Sequence, residues 1–326
     1  MVNSEYSPFK IVHYIDRLKA IKVSGTCIPI SIHLAPTTFC NCSCYYCYVK
    51  ECNKKRHSLD KAVLFSFLKD AANAGVKAVE ITGGGEPTIY PYFDELLYYC
   101  HQLGLDIGII SNGYHLNIDY IKYAKWLRIS IDSFDDKIYH QIKGGRLPDL
   151  SCIKKLSDEY GVVTGASCVI NKYNYDRLYE FASCAKRLGF RNVWFKGIEG
   201  SDELAEFSDE IQIALDDIKL LSNDHFKVFI GELFRKVESR SKPFERCCFQ
   251  HVALMLYADG SIYPCCSLQG NEQYAIANIY KDTFSTIIAN RKELPVNQCP
   301  LNCFWETKNT LMEYIILDDP QHVNFM

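Results

Sequence analysis

No run of about 18 apolar residues, the length a membrane-spanning helix needs, occurs in this 326-residue chain. The opening MVNSEYSPFKIVHYIDRLKA lacks the basic start and apolar core of a secretory signal. Excess charge is missing as well. Thirty-six Lys and Arg against 39 Asp and Glu leave a net charge of −3 and a pI near 6.3. Such a balance offers no basic face and argues against a nucleic-acid partner. There is no low-complexity tract and no internal repeat beyond an alternation of strands and helices. With 48% hydrophobic and 23% charged residues, the expectation is a globular, cytoplasmic chain with ample core and no membrane contact.

Cysteine, by contrast, is abundant, with 16 residues. A disulfide framework is not expected, because the chain is large and shows no export signal. The cysteines also cluster: four lie in residues 40–47 and six in residues 247–303. Cys27, Cys52, Cys100, Cys152 and Cys184 are scattered and read as small hydrophobes. The first cluster follows an apolar run at 28–34, and Cys40, Cys44 and Cys47 within it have the spacing C-x3-C-x2-C. A loop this short can wrap three thiolates around one iron–sulfur cluster and leave one iron open for a ligand. Including Cys42, the same loop also reads as a four-thiolate zinc site.

Along the chain, β-rich apolar runs at 28–34, 76–82, 105–111, 126–132, 162–170 and 192–196 alternate with amphipathic helical stretches. Ser58 is the expected N-cap of the first of these helices. Six βα units imply a parallel sheet with right-handed crossovers, and strands apolar on both faces fit a sheet curled into a partial barrel. Residues 1–27 form an N-terminal extension, 28–196 the barrel, 197–244 a helical bridge rich in Asp, Glu and Leu, and 245–326 a cysteine-rich domain with its tail. The tail from Tyr314 is expected to pack on the barrel and close its mouth.

In a parallel barrel the chemistry sits at the C-terminal ends of the strands. Three signals fall there: Gly83-Gly84-Gly85-Glu86-Pro87 after strand two, Ser111-Asn112-Gly113 after strand three, and Arg128, Ser130 and Asp132 on one face of strand four. Glycines let backbone polar groups approach a ligand, although a simple tight turn has the same composition. Arg128 is equally readable as a ligand contact or as a structural partner. Near the end of strand five lie Asn171 and Cys168, the latter read first as a core residue; Lys196 ending strand six reads as a substrate contact or a snorkelling rim residue, and His33 in strand one as a core histidine.

At Cys40, Cys44, Tyr46 and Cys47 the chain resembles the radical S-adenosylmethionine (SAM) superfamily, whose signature is C-x3-C-x-aromatic-C after the first strand. The resemblance implies a partial (β/α)6 TIM-like barrel and a [4Fe–4S] cluster held by those three cysteines, with Cys42 a non-ligand. It implies that SAM chelates the fourth iron and that Tyr46 lies near the adenine. The glycine motif maps onto Gly83, Gly84, Gly85 and Glu86, which would hold the SAM amino group. Ser111, Asn112, Ser130, Asp132 and Asn171 would line the rest of the SAM pocket. If Cys168 faces the lumen, it would serve as a hydrogen donor to a substrate radical.

In the second cluster, Asp259-Gly260 marks a β-hairpin that returns Cys265 toward Cys248, and Cys299 and Cys303 form a further local pair. Four such thiolates make either a closed zinc site or an iron–sulfur site. The pattern is similar to the SPASM/Twitch extension of radical SAM enzymes, with Asn278-Ile279 in the place of its G-N-I. This resemblance implies one auxiliary [4Fe–4S] cluster on Cys248, Cys265, Cys299 and Cys303, with Cys247 and Cys266 as alternates. The implied activity is reductive SAM cleavage to a 5′-deoxyadenosyl radical, fed by a reducing partner such as flavodoxin or ferredoxin, followed by hydrogen abstraction. The expected substrate is a small polar metabolite of the sugar or nucleotide-sugar kind. A peptide or protein side chain is the alternative, and a non-catalytic iron–sulfur or zinc protein is the alternative from a different class.

Overall fold

The computed structural model describes residues 7–198, 201, 203–231, 242–291, 293–299, 303 and 305–316. Its centre is one ten-stranded sheet. Strands β1 (Ser31–Leu34), β2 (Ala78–Ile81), β3 (Asp106–Ser111), β4 (Trp126–Ser130), β5 (Val163–Val169) and β6 (Asn192–Lys196) lie side by side in chain order, all parallel. These are the six strands expected from the apolar runs, trimmed by one to three residues at several ends. Helices α2 (Lys61–Ala74), α3 (Phe93–Gln102), α4 (Ile118–Ile121), α5 (Asp136–Lys143), α6 (Ile153–Asp158) and α7 (Leu178–Arg187) make the crossovers, after α1 (Ile15–Ser24) in the extension. Residues 199, 200, 202 and 232–241 of the expected bridge, and 317–326 of the expected mouth-closing tail, lie outside the described residues.

The strand faces explain the barrel. In β4, Leu127 and Ile129 are fully buried in the main core, while Trp126, Arg128 and Ser130 alternate to the other face. Arg128 lies over the rings of Trp126 and Trp194, 5.5 and 4.7 Å from their centroids, which favours the structural reading of that residue. Trp126 covers Gly108 of β3 so closely that a Cβ there would stand 2.1 Å from the indole.

Two features depart from expectation. The bridge is not only helical: α8 (Ser208–Lys219) is followed by β7 (Lys227–Ile230), which adds in parallel to β6. After α9 (Phe249–Val252), β8 (Ala253–Leu256) pairs in parallel with β1 on the opposite flank and then turns through Asp259-Gly260 into β9 (Ser261–Tyr263). The hairpin arm of the cysteine-rich segment is therefore an eighth parallel strand. Among the described residues, β7 and β10 (Ala277–Asn278) end the sheet without pairing to each other, so the ring they form is open. The second departure is local. Asp60, not Ser58, caps α2, its Oδ1 accepting from Val63 N at 3.0 Å, while Ser58 Oγ pairs with Thr37 Oγ1 at 2.7 Å.

The chain ends meet on one flank. Leu18 and Ile21 of α1 share a buried cluster with Cys248, Phe249 and Val252 around α9 and Met312 of α11 (Glu306–Ile316). Helix α10 (Phe284–Ala289) packs Phe284 against Phe67 of α2. Among the described residues, no helix is long and apolar enough to cross a membrane.

Candidate active site

The cysteine loop leaves the C-terminal end of β1 and is pinned on three sides. On the first, Gly85 N donates to Thr37 O at 2.9 Å and Glu86 N to Phe39 O at 2.7 Å. The approach is so close that a Cβ on Gly85 would stand 1.9 Å from Phe39 O, so a side chain there would push the loop away. On the second side, Ser43 N donates to Lys143 O at 2.9 Å and Tyr45 N to Ile142 O at 3.2 Å, so the loop satisfies free carbonyls at the end of α5. On the third, Asn112 Nδ2 reaches Asn41 Oδ1 at 2.6 Å and Cys42 Sγ at 3.3 Å.

Within the loop the thiols sense one another's charge: Cys40 and Cys47 both act on Cys44, and Cys40 acts on Cys47. A hydrogen bond from the Cys42 thiol pulls Cys40 down to about 7 against the effect of burial, helped by the Cys42 N–H, 3.4 Å from Cys40 Sγ. Cys42 is pushed far up by the same bond and by burial. Burial raises Cys44 to about 11, with Lys143 opposing. Among the described residues no three His, Cys, Asp or Glu side chains converge closely enough to hold one metal ion, as a zinc with Zn–S bonds of about 2.3 Å requires. The donor set fits a larger soft-metal body gripped at three corners.

Beside the loop lies a buried ionic network. Asp132 is fully buried and takes φ +61°, the left-handed region, which costs a residue with a side chain about 1–2 kcal/mol. Its Oδ1 accepts from Val169 N at 2.8 Å, and its Oδ2 accepts from Tyr46 OH and from Lys143 Nζ, the latter at 2.8 Å. Lys143 Nζ also donates to Tyr46 OH and Ser130 Oγ, each at 2.9 Å. Burial pulls Lys143 down, but Asp132 and its neighbours outweigh it and hold the ammonium charged. Strand four, α5 and the cysteine loop thus converge on one cation.

A family model described as Radical SAM superfamily matches residues 34–185, which span β1 to α7 and this whole arrangement. Residues 34–185 thus carry a match to the radical SAM superfamily. The chain is 26% identical over 302 residues to the sporulation killing factor maturation protein SkfB of Bacillus subtilis, covering 87% of this chain and 71% of that one. It is 30% identical over 132 residues to an S-adenosylmethionine-dependent nucleotide dehydratase of a Thermoplasmatales archaeon, covering 38% of this chain and 46% of the relative. Among solved structures it is similar in fold to SuiB of Streptococcus suis bound to its precursor peptide SuiA, with a TM-score of 0.66 and 18% identity, covering 89% of this chain and 71% of that one.

A radical SAM enzyme uses a [4Fe–4S] cluster and SAM. The structure brings the expected SAM-pocket motifs onto one rim and ties them together. The buried Glu86 carboxylate accepts from Thr88 N, Thr88 Oγ1, Ser111 Oγ and Asn112 N, at 3.1, 2.7, 2.7 and 2.8 Å. With four donors engaged, it joins the glycine turn to the Ser111-Asn112 loop. The Asn171 side chain is likewise committed, Nδ2 to Val169 O at 2.8 Å and Oδ1 to Tyr173 N at 3.0 Å.

Cys168 does not face the lumen. It is fully buried in the main core, 3.5 Å from Asp132 O and 3.4 Å from Asn174 Nδ2. With no exposed surface and a place in the apolar core, the thiol does not reach a substrate. His33 packs edge-on to Phe249 and Trp305, 6.1 and 6.0 Å between centroids, as a core histidine. Lys196 is exposed at the end of β6. Lys143 is the residue that sequence reasoning missed. A lysine before Gly144-Gly145 reads as an ordinary helix end, and only the fold brings it to Asp132.

The second cysteine group has its own geometry. Cys247 feels the charges of Cys303 and Cys265, and Cys303 feels Cys265 and Cys299. Cys265 is drawn down to about 7 by a hydrogen bond from the Cys266 thiol, against burial. Cys248, the expected ligand, turns away into the apolar cluster with Leu18, Ile21 and Val252 and is fully buried. The doublet leads straight into α9, where successive side chains point about 100° apart, so only one of the two can face Cys303. The buried Trp305 Nε1 lies next to Cys265 and helps to draw its thiol down. Thiols that feel one another's charge, with an indole N–H turned to one of them, fit a soft-metal site built on sulfur.

Proposed function

We propose that this chain is a radical SAM enzyme that modifies a peptide or protein side chain. The observation carrying this reading is the reach of the match. Likeness to the SkfB maturation protein runs through 87% of the chain and so reaches past the barrel into the second cysteine group. Likeness to nucleotide dehydratases covers 38 to 63%. The fold shared with SuiB, which was solved with its precursor peptide, supports the same class of substrate. A peptide thus takes precedence over the small polar metabolite expected from the length of the C-terminal extension.

In this reading Cys40, Cys44 and Cys47 ligate the SAM-binding cluster, and Cys247, Cys265, Cys299 and Cys303 ligate one auxiliary [4Fe–4S] cluster. With an electron from a small reductant protein, the first cluster and SAM supply a carbon-centred radical that takes a hydrogen atom from the substrate. The protein's part is positional. The backbone of Gly83–Gly85 meets the SAM amino group, and Lys143 gives the SAM carboxylate a charged neighbour. Ser130 and Asp132 fix Lys143, Tyr46 lies beside the adenosyl group, and Glu86, Ser111, Asn112 and Asn171 hold the loops in register. Residues 28–196 form the radical SAM domain, and 245–316 carry the auxiliary site.

The test is to incubate the anaerobically reconstituted, reduced enzyme with SAM and either short peptides encoded beside its gene or nucleotides. Release of 5′-deoxyadenosine that rises with one peptide, together with a mass change on that peptide, is expected. Stimulation by a nucleotide and by no peptide would contradict the reading.

A further inference from the structure

Asn309 stands in the first turn of α11 and is fully buried. Its Oδ1 accepts from Phe249 N at 2.8 Å, which fixes the amide the right way round. The Nδ2 end then lies 3.6 Å from Cys247 Sγ and 3.6 Å from Cys303 Sγ. Those two sulfurs are its partners among the described residues. A neutral thiol is a poor acceptor, and an unsatisfied buried N–H costs about 1–3 kcal/mol. A thiolate bound to iron is a much better acceptor, so this amide is best satisfied when the auxiliary cluster is loaded.

We propose that Asn309 is a positioning residue that donates one N–H to each of two auxiliary-cluster thiolates, selecting Cys247 over Cys248 and raising the reduction potential of that cluster. This rests on the auxiliary-cluster reading above. The physical cause is direct. Hydrogen bonds to cluster sulfurs draw off electron density and favour the more negative, reduced state. The same amide bridges α11 to the start of α9, so it sets both the separation of Cys247 and Cys303 and the rotation of the Cys247-Cys248 doublet.

The experiment compares the reconstituted wild-type enzyme with Asn309→Leu, which keeps the volume but has no N–H, and with Asn309→Asp, which keeps the acceptor for Phe249 N. Potentials are read by EPR-monitored titration, and the SAM-responsive signal serves as the internal control. The SAM-insensitive signal of Asn309→Leu is expected to shift negative. The oxidised-to-reduced ratio at a fixed potential should change by about tenfold, or about 59 mV for one electron, while the SAM-responsive signal stays put. Exchangeable-deuteron couplings at the auxiliary cluster should weaken in the same variant.

Two loaded clusters with an unmoved potential and unchanged deuteron couplings would overturn the role of Asn309 while leaving the auxiliary cluster standing. Loss of the second cluster in both variants would assign Asn309 a purely structural part and overturn the tuning. A wild-type enzyme with only the SAM-responsive cluster would overturn the auxiliary-cluster reading itself.

Discussion

Lys143 Nζ and Asp132 Oδ2 stand 2.8 Å apart with almost no exposure, 2% and 0%. They come from α5 and the end of β4, and Tyr46 of the cysteine loop closes the triangle. This contact couples the fold to the site, because any shift of α5 also moves the carbonyls that anchor Ser43 and Tyr45.

Removing one partner leaves the other as an uncompensated buried charge. Lys143→Met is expected to cost about 3–5 kcal/mol of stability and to weaken SAM binding. The double variant Lys143→Met, Asp132→Leu should be less destabilised than the sum of the two single variants. Equilibrium denaturation of the four proteins measures this coupling, and strict additivity would contradict it.

Gly85→Ala tests the anchor between the glycine turn and the cysteine loop. Its Cβ would meet the Phe39 carbonyl, so the backbone must part. The expected cost is about 1–3 kcal/mol, with lower iron retention by the first cluster. Unchanged iron content and melting temperature would contradict the tight approach.

Cys247→Ser and Cys248→Ser separate the two members of the doublet. Two [4Fe–4S] clusters correspond to about eight irons per chain. Cys247→Ser should fall toward about four, whereas Cys248→Ser should keep both clusters. The opposite result would return the ligand role to Cys248.

His251 sets a pH dependence in the C-terminal region. Burial lowers its pKa below the usual 6.5, although Glu293 at 3.2 Å opposes this. The folded state therefore favours the neutral ring. As pH falls below 6.5 the unfolded chain takes up a proton that the folded chain resists, so stability drops until the folded pKa is passed. Thermal unfolding at pH 7.5 and pH 5.5 should show a smaller acid loss in His251→Gln than in the wild type.

The six central strands were legible because each is an apolar run bounded by a helix signal, as Ala78–Ile81 is bounded by Gly75 and the glycine turn. Strand β7 was not, because Lys227–Ile230 is only four residues long and follows an acidic helical stretch that dominates its surroundings. The hairpin at Asp259-Gly260 was legible from its turn, but the pairing of β8 with β1 joins residues more than 200 positions apart and leaves no local mark. The rim motifs were legible by position, since Gly85, Asn112 and the cysteine loop do meet. The place of Lys143 and the burial of Cys248 beside Cys247 depend on helix phase and on tertiary contact, which adjacent letters do not encode.

The most direct test of the account is iron content and SAM turnover in the anaerobically reconstituted chain, beside a Cys40→Ala, Cys44→Ala, Cys47→Ala variant. The account predicts that the wild type, given a strong reductant, releases 5′-deoxyadenosine and methionine from SAM. The triple variant should lose one cluster and all release. Zinc in place of iron at these cysteines, or release that survives the triple variant, would contradict it.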